Sequence, residues 1–103
     1  IITSTGNDLS FRDIFKRQIE ALGKEQDVLI AISTSGESEN IIEAVKEANK
    51  IDMLTVAFTK KNSNTLSEIS DHALCIPSEE TGVIQQSHIT FGQLLCYFLE
   101  ENI

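Results

Sequence analysis

The sequence predicts an α/β fold, a three-layer sandwich in which helices cover both faces of a parallel sheet. Three observations predict it. Short apolar runs without polar alternation, such as Val28 to Ile32, recur along the chain. Between them lie segments whose apolar residues fall at steps of three and four, the mark of amphipathic helices. Turn-forming residues separate the two kinds of segment, and strands that alternate with helices imply right-handed βαβ crossovers and parallel pairing.

The chain opens Ile1-Ile2-Thr3, strand-like and without an initiating Met, so a preceding part of the protein is expected. After Asn7-Asp8, the residues Phe11, Ile14, Phe15, Ile19 and Leu22 outline a first helix, with Ser10 as its N-cap and Gly23 just past its end. Val28 to Ile32 reads as a strand buried on both faces. The turn Ser33 to Ser38 follows, then a helix marked by Ile41, Ile42, Val45 and Ala48. Leu54 to Thr59 is the second strand, a helical turn covers Leu66 to Ile69, and Ala73 to Ile76 is the third strand, stopped by Pro77. A last helix runs from about Ile84 to Glu100, apolar over an arc wide enough for either a core helix or a subunit interface.

Composition narrows the function. With 41% hydrophobic and 23% charged residues, the chain has the profile of one soluble globular domain. It contains neither a membrane-length apolar run nor a signal pattern, so a cytoplasmic location is expected. Cys75 and Cys96 stand in apolar surroundings and are expected to be buried thiols. The net charge of −8 opposes direct nucleic-acid binding, because backbone affinity rests on clustered Lys and Arg. A phosphorylated ligand would therefore have to be held by local geometry, through main-chain N–H groups and hydroxyls.

The turn Ser33-Thr34-Ser35-Gly36-Glu37-Ser38 supplies that geometry. In open parallel sheets ligands bind beyond the carboxyl ends of strands, where helix N-termini present free N–H groups and partial positive charge. Hydroxyls on Ser33, Thr34, Ser35 and Ser38, with Gly36 allowing a tight turn, suit a phosphate dianion. Ser and Thr also gather at ordinary turns and N-caps, but a cap needs a single hydroxyl. No Gly-Lys-Ser/Thr follows and there is no Gly-x-Gly-x-x-Gly, so the turn is neither a Walker loop nor a dinucleotide fingerprint.

The stretch Asp27 to Ser38 resembles the core of sugar isomerase (SIS) domains, specifically the phosphoheptose isomerase family. The likeness continues through Gly6-Asn7-Asp8, through Phe15 to Gly23, and through Ile84-Gln85-Gln86-Ser87-His88. It implies a flavodoxin-like sheet and a cytoplasmic homotetramer, with residues 1–103 forming one SIS domain that lacks the family's N-terminal helices and first strand. The implied activity converts sedoheptulose 7-phosphate to a heptose 7-phosphate. By position, Ser33, Thr34, Ser35 and Ser38 would bind the phosphate and Asn7 and Asp8 the sugar, while Gln85 would reach substrate or zinc. The family's substrate loop and catalytic Glu would precede Ile1. Its catalytic, metal-binding His falls on Gln93, which puts both the zinc and the proton-transfer role in question.

Of the remaining polar residues, His88 reads as a structural hydrogen-bonding residue, His72 as surface, and Glu37, Glu39 and Glu43 as an exposed face. Three functions fit the sequence: an isomerase acting through an enediol, a non-catalytic sugar-phosphate-binding or protein-interaction module like the family's DnaA-binding relative, and a sugar-phosphate-sensing domain of a regulator.

Overall fold

The structure is a computed structural model and describes residues 11–102. A 3-10 turn, Phe11–Asp13, leads into α1 (Ile14–Leu22). Then come β1 (Val28–Ile32), α2 (Glu39–Lys50), β2 (Leu54–Lys60), α3 (Thr65–Ile69), β3 (His72–Ile76) and α4 (Thr81–Asn102). The three strands form one sheet in the order β1-β2-β3, parallel throughout, with Ile30 beside Val56 and Val56 beside His72. The predicted N-cap Ser10 lies outside the described residues. Gly23 does close α1: its N–H reaches the Ile19 carbonyl at 2.8 Å, and a Cβ there would meet that oxygen and the Met53 sulfur.

Alternation along the strands sorts the two faces. Ala31 and Ala57 point to the side where Val45 of α2 and Leu66 of α3 complete the central core, with Leu29, Ile41 and Ile69 packed around it. Helix α1 lies along α2, with Ile14 fully buried between them. Phe58 points the other way, and the His88 ring of α4 meets it at a centroid distance of 5.7 Å. Helix α4 therefore forms the third layer of the α/β/α sandwich.

That third layer is thin, and two expectations change because of it. Strand β1 is covered on one face alone: Val28, Ile30 and Ile32 are 54%, 39% and 52% exposed, since no described helix lies over them. On α4, Ile84 and His88 are buried, whereas Val83, Ile89, Phe91, Leu94, Tyr97 and Leu99 stay exposed. The two cysteines are also exposed, Cys75 on the edge strand β3 and Cys96 on the open arc of α4, so neither is the buried thiol that its neighbours suggested. Glu43 differs in the opposite sense. Its carboxylate is largely covered, between Arg12 and Lys46 at 3.4 Å each.

At the amino ends of the strands, a buried network replaces apolar packing. The Thr55 hydroxyl lies between Asn49 Oδ1 and Asp71 Oδ2 and accepts the Asp71 N–H, while the Thr55 N–H donates to the Asp71 carboxylate. Asn49 in turn donates to the Ile69 carbonyl. This network fixes the bottom of the sheet, leaving the carboxyl ends free to carry the turn.

Candidate functional site

A cleft of about 540 Å³ opens at the carboxyl ends of β1 and β2, between the serine turn and α4. Ser33, Thr34 and Ser38 line one wall, and Gln85, His88, Ile89 and Gly92 line the other. A larger hollow of about 800 Å³ lies at the opposite end of the sheet. Its lining includes the carboxylates of Glu25, Asp27, Asp52 and Asp71, whose charge opposes an anionic ligand.

The turn is held by its own hydroxyls. Ser33 is buried, its N–H donates to the Phe58 carbonyl at 3.0 Å, and its Oγ accepts the Gly36 N–H at 3.1 Å. Ser35 Oγ accepts the Glu37 N–H at 3.1 Å and is itself exposed at the rim. Gly36 sits at φ 72, a left-handed conformation that an L side chain resists, and any Cβ there would collide with Asn64.

Ser38 occupies the N-cap of α2 yet makes no side-chain cap bond; its hydroxyl lies 2.9 Å from Ser33 Oγ. The amino end of α2, with its orphan N–H groups and dipole, therefore reaches the cleft without the side-chain cap that a Ser at this position ordinarily supplies. The Ile41 N–H is instead accepted by the Asn40 side-chain oxygen at 2.9 Å, so it is the first N–H groups of the helix that are left to a ligand.

A second segment braces the turn from outside. Asn64 caps α3 through a reciprocal box with Ser67, and the Leu66 N–H donates to the Gly36 carbonyl at 3.0 Å. The Glu37 carboxylate accepts from Thr65 twice, from the hydroxyl at 2.6 Å and from the N–H at 2.9 Å. Those bonds, hydroxyl first, hold the Glu37 carboxyl below the usual range, with a smaller contribution from Lys60.

On the opposite wall, His88 is 3% exposed, and its Nε2 lies 3.0 Å from the Thr59 carbonyl, which makes Nε2 the protonated nitrogen. Its Nδ1 and the Thr59 hydroxyl are buried without partners among the described residues.

Of the predicted site residues, the structure brings Ser33, Thr34, Ser38 and Gln85 to one cleft. Ser35 braces the turn from the rim. Gln93 is exposed on α4, one residue past Gly92, and does not line the cleft. Asn7 and Asp8 lie outside the described residues. Sequence reasoning missed the Asn64–Thr65 brace, whose partners are far apart in the chain. It also missed Gly92, although a glycine inside a long helix is itself a signal.

Zinc does not fit the residues described. Among them no three His, Cys, Asp or Glu side chains group to hold a metal, His88 spends one nitrogen on a carbonyl, and Gln85 and Gln93 offer only weakly coordinating amides. No described helix is long and apolar enough to cross a membrane.

A parallel sheet with a hydroxyl-rich turn leading into a helix at its carboxyl end is the arrangement of a sugar isomerase domain. The chain belongs to the SIS-domain family, whose profile matches residues 2–60. Within that family it is similar to phosphoheptose isomerases. It is 46% identical to the phosphoheptose isomerase of Clostridium acetobutylicum over 103 residues, 100% of this chain and 53% of that one. The phosphoheptose isomerase structure from Francisella tularensis superposes with a TM-score of 0.91 at 38% identity, covering 97% of this chain and 54% of the other. The enzyme from Neisseria gonorrhoeae gives 0.88 at 40% identity, covering 92% and 54%. The chain thus spans about half the length of the relatives it matches.

Proposed function

We propose that the protein is a phosphosugar isomerase of the phosphoheptose type, interconverting sedoheptulose 7-phosphate and a heptose 7-phosphate through an enediol. The observation that carries this reading is the Ser38 hydroxyl turned onto Ser33, which leaves the amino end of α2 open to an anion in the cleft. Ser33, Thr34, Ser35 and Ser38 hold the phosphate, and Gln85 reaches the sugar from the facing wall. Asn7 and Asp8 add sugar contacts. The carboxylate that removes the proton alpha to the carbonyl lies, on this reading, outside residues 1–103.

Gln93 stands where the resemblance places the proton-transferring His. An amide neither gains nor loses a proton near neutrality, so the reaction runs slowly and without a zinc requirement. The same residue favours a second reading, a sugar-phosphate-binding or protein-interaction module without turnover. In either case the protein works in the cytoplasm as a homo-oligomer, a tetramer by resemblance, with the exposed apolar arc of α4 supporting association.

Thr34→Val combined with Ser38→Ala tests the phosphate site, because neither hydroxyl carries a bond to the turn's main chain. Calorimetry is expected to show sedoheptulose 7-phosphate affinity falling about tenfold or more, from the loss of two bonds to a charged group. The unphosphorylated ketose should be unaffected. An unchanged affinity for the phosphate ester would refute the assignment.

A further inference from the structure

We propose that Glu37 is a positioning residue, which holds the phosphate turn in its binding shape by gripping Thr65 at the start of α3. The proposal rests on the phosphate reading above. A carboxylate inside a turn meant for a dianion is otherwise a liability, since like charges repel. Here the charge has a partner of its own. Both carboxylate oxygens are engaged, Oε1 by the Thr65 hydroxyl at 2.6 Å and Oε2 by the Thr65 N–H at 2.9 Å. Thr65 is the first residue of α3, so its N–H is one of the orphan donors of a helix start, and a negative charge is favoured there.

The grip acts on the atoms that shape the turn. Glu37 directly follows Gly36, whose carbonyl accepts the Leu66 N–H and where Asn64 occupies the space that a Cβ would take. Glu37's own N–H is held by Ser35 Oγ. Main chain, side chain and the neighbouring residue are thus fastened to the same two segments. Binding to a turn already in place loses less ordering entropy than binding to a loose one, which is how a residue that touches no ligand raises affinity. Lys60, the charged group facing Glu37 from β2, further offsets its field.

Three variants of the intact protein separate this role from its competitors. Glu37→Ala removes both bonds. Glu37→Gln keeps both, the amide oxygen accepting from the Thr65 N–H and the amide nitrogen donating to its hydroxyl. Thr65→Pro removes both donors from the other side, and proline is tolerated at a first helical position after an extended Asn64. With sedoheptulose 7-phosphate in calorimetry, Glu37→Ala and Thr65→Pro are expected to weaken binding about tenfold, and Glu37→Gln to stay within about twofold of the parent. The double variant should be no weaker than either single one. Tighter binding in both Glu37→Ala and Glu37→Gln would show mere charge repulsion, and equal binding in all would show an idle surface residue; either overturns the proposal. Amide exchange at Gly36 provides a readout that needs no ligand and should accelerate in Glu37→Ala but not in Glu37→Gln. If the parent fails to bind the phosphate ester, the functional reading fails, while unchanged exchange in Glu37→Ala overturns the positioning role by itself.

Discussion

The imidazole of His88 and the carbonyl of Thr59 meet at 3.0 Å in the interior, and through them α4 is anchored to the carboxyl end of β2. The ring also lies against Phe58. His88→Ala removes the packing and leaves a buried carbonyl without its donor, so a loss of about 2 to 4 kcal/mol is expected. Urea denaturation of parent and variant measures it. A loss below about 0.5 kcal/mol would mean that α4 is held by other contacts.

Gly36 is expected to tolerate no side chain. At φ 72 a β-carbon is strained, and Asn64 already occupies the space. Gly36→Ala should destabilise the fold by about 1 to 3 kcal/mol and abolish binding of phosphate esters. Retained affinity would show that the turn has other conformations competent to bind.

Gly92 presents the opposite case, because a Cβ there would meet nothing within 4 Å. Glycine within a helix is less stable than alanine by about 0.5 to 1 kcal/mol, and no contact in the described structure accounts for it. It lines the cleft, where a methyl would narrow the space opposite Ser33. Gly92→Ala should therefore raise the melting temperature while weakening binding of the sugar phosphate. Unchanged binding would show that the ligand does not reach α4 at this point.

Acid should loosen the tie between α2 and the 3-10 turn that precedes α1, where Arg12 meets Glu43. Burial pushes the Glu43 carboxyl up, but Arg12 and Lys46 together more than reverse it, so its value in the fold is lowered. A lowered value means that the ion pair contributes stability above the ordinary Glu range, about pH 4.3, and loses it as the pH falls through the lower folded value. Chemical denaturation at pH 6 and pH 3.5 should show a smaller acid loss in Glu43→Gln than in the parent. Equal losses in the two proteins would contradict this.

On the proposed isomerase reading, Gln93 is expected to limit turnover. If an imidazole is all that the site lacks, Gln93→His should raise isomerisation, up to the 10²–10⁴-fold typical of general acid–base assistance. Stopped assays of sedoheptulose 7-phosphate conversion measure it. No gain would favour the binding module.

Much of this was legible in the chain itself, and the exceptions share a cause. The apolar run Val28 to Ile32 and the helical steps through Ile42, Val45 and Ala48 are local patterns, and they appear as β1 and α2. The turn was legible because hydroxyl density at a strand end is local too. Glu37 and Thr65, or His88 and Thr59, are joined across 28 and 29 residues, a distance at which periodicity carries no information. The open face of β1 was misread for a related reason. A run of Val and Ile reports that a partner is wanted on both sides, without saying whether the same stretch of chain provides it.

The tie between Gly36 and the Asn64–Leu66 segment also orders events in time. Turn and brace are separated by all of α2 and β2, so the binding shape cannot arise from local preference and must await closure of that long loop. A site completed by closing that loop is expected to be unformed in the folding transition state. Saturating phosphate ester should accordingly slow unfolding while leaving the refolding rate nearly unchanged, so that one arm of the chevron shifts and the other stays in place.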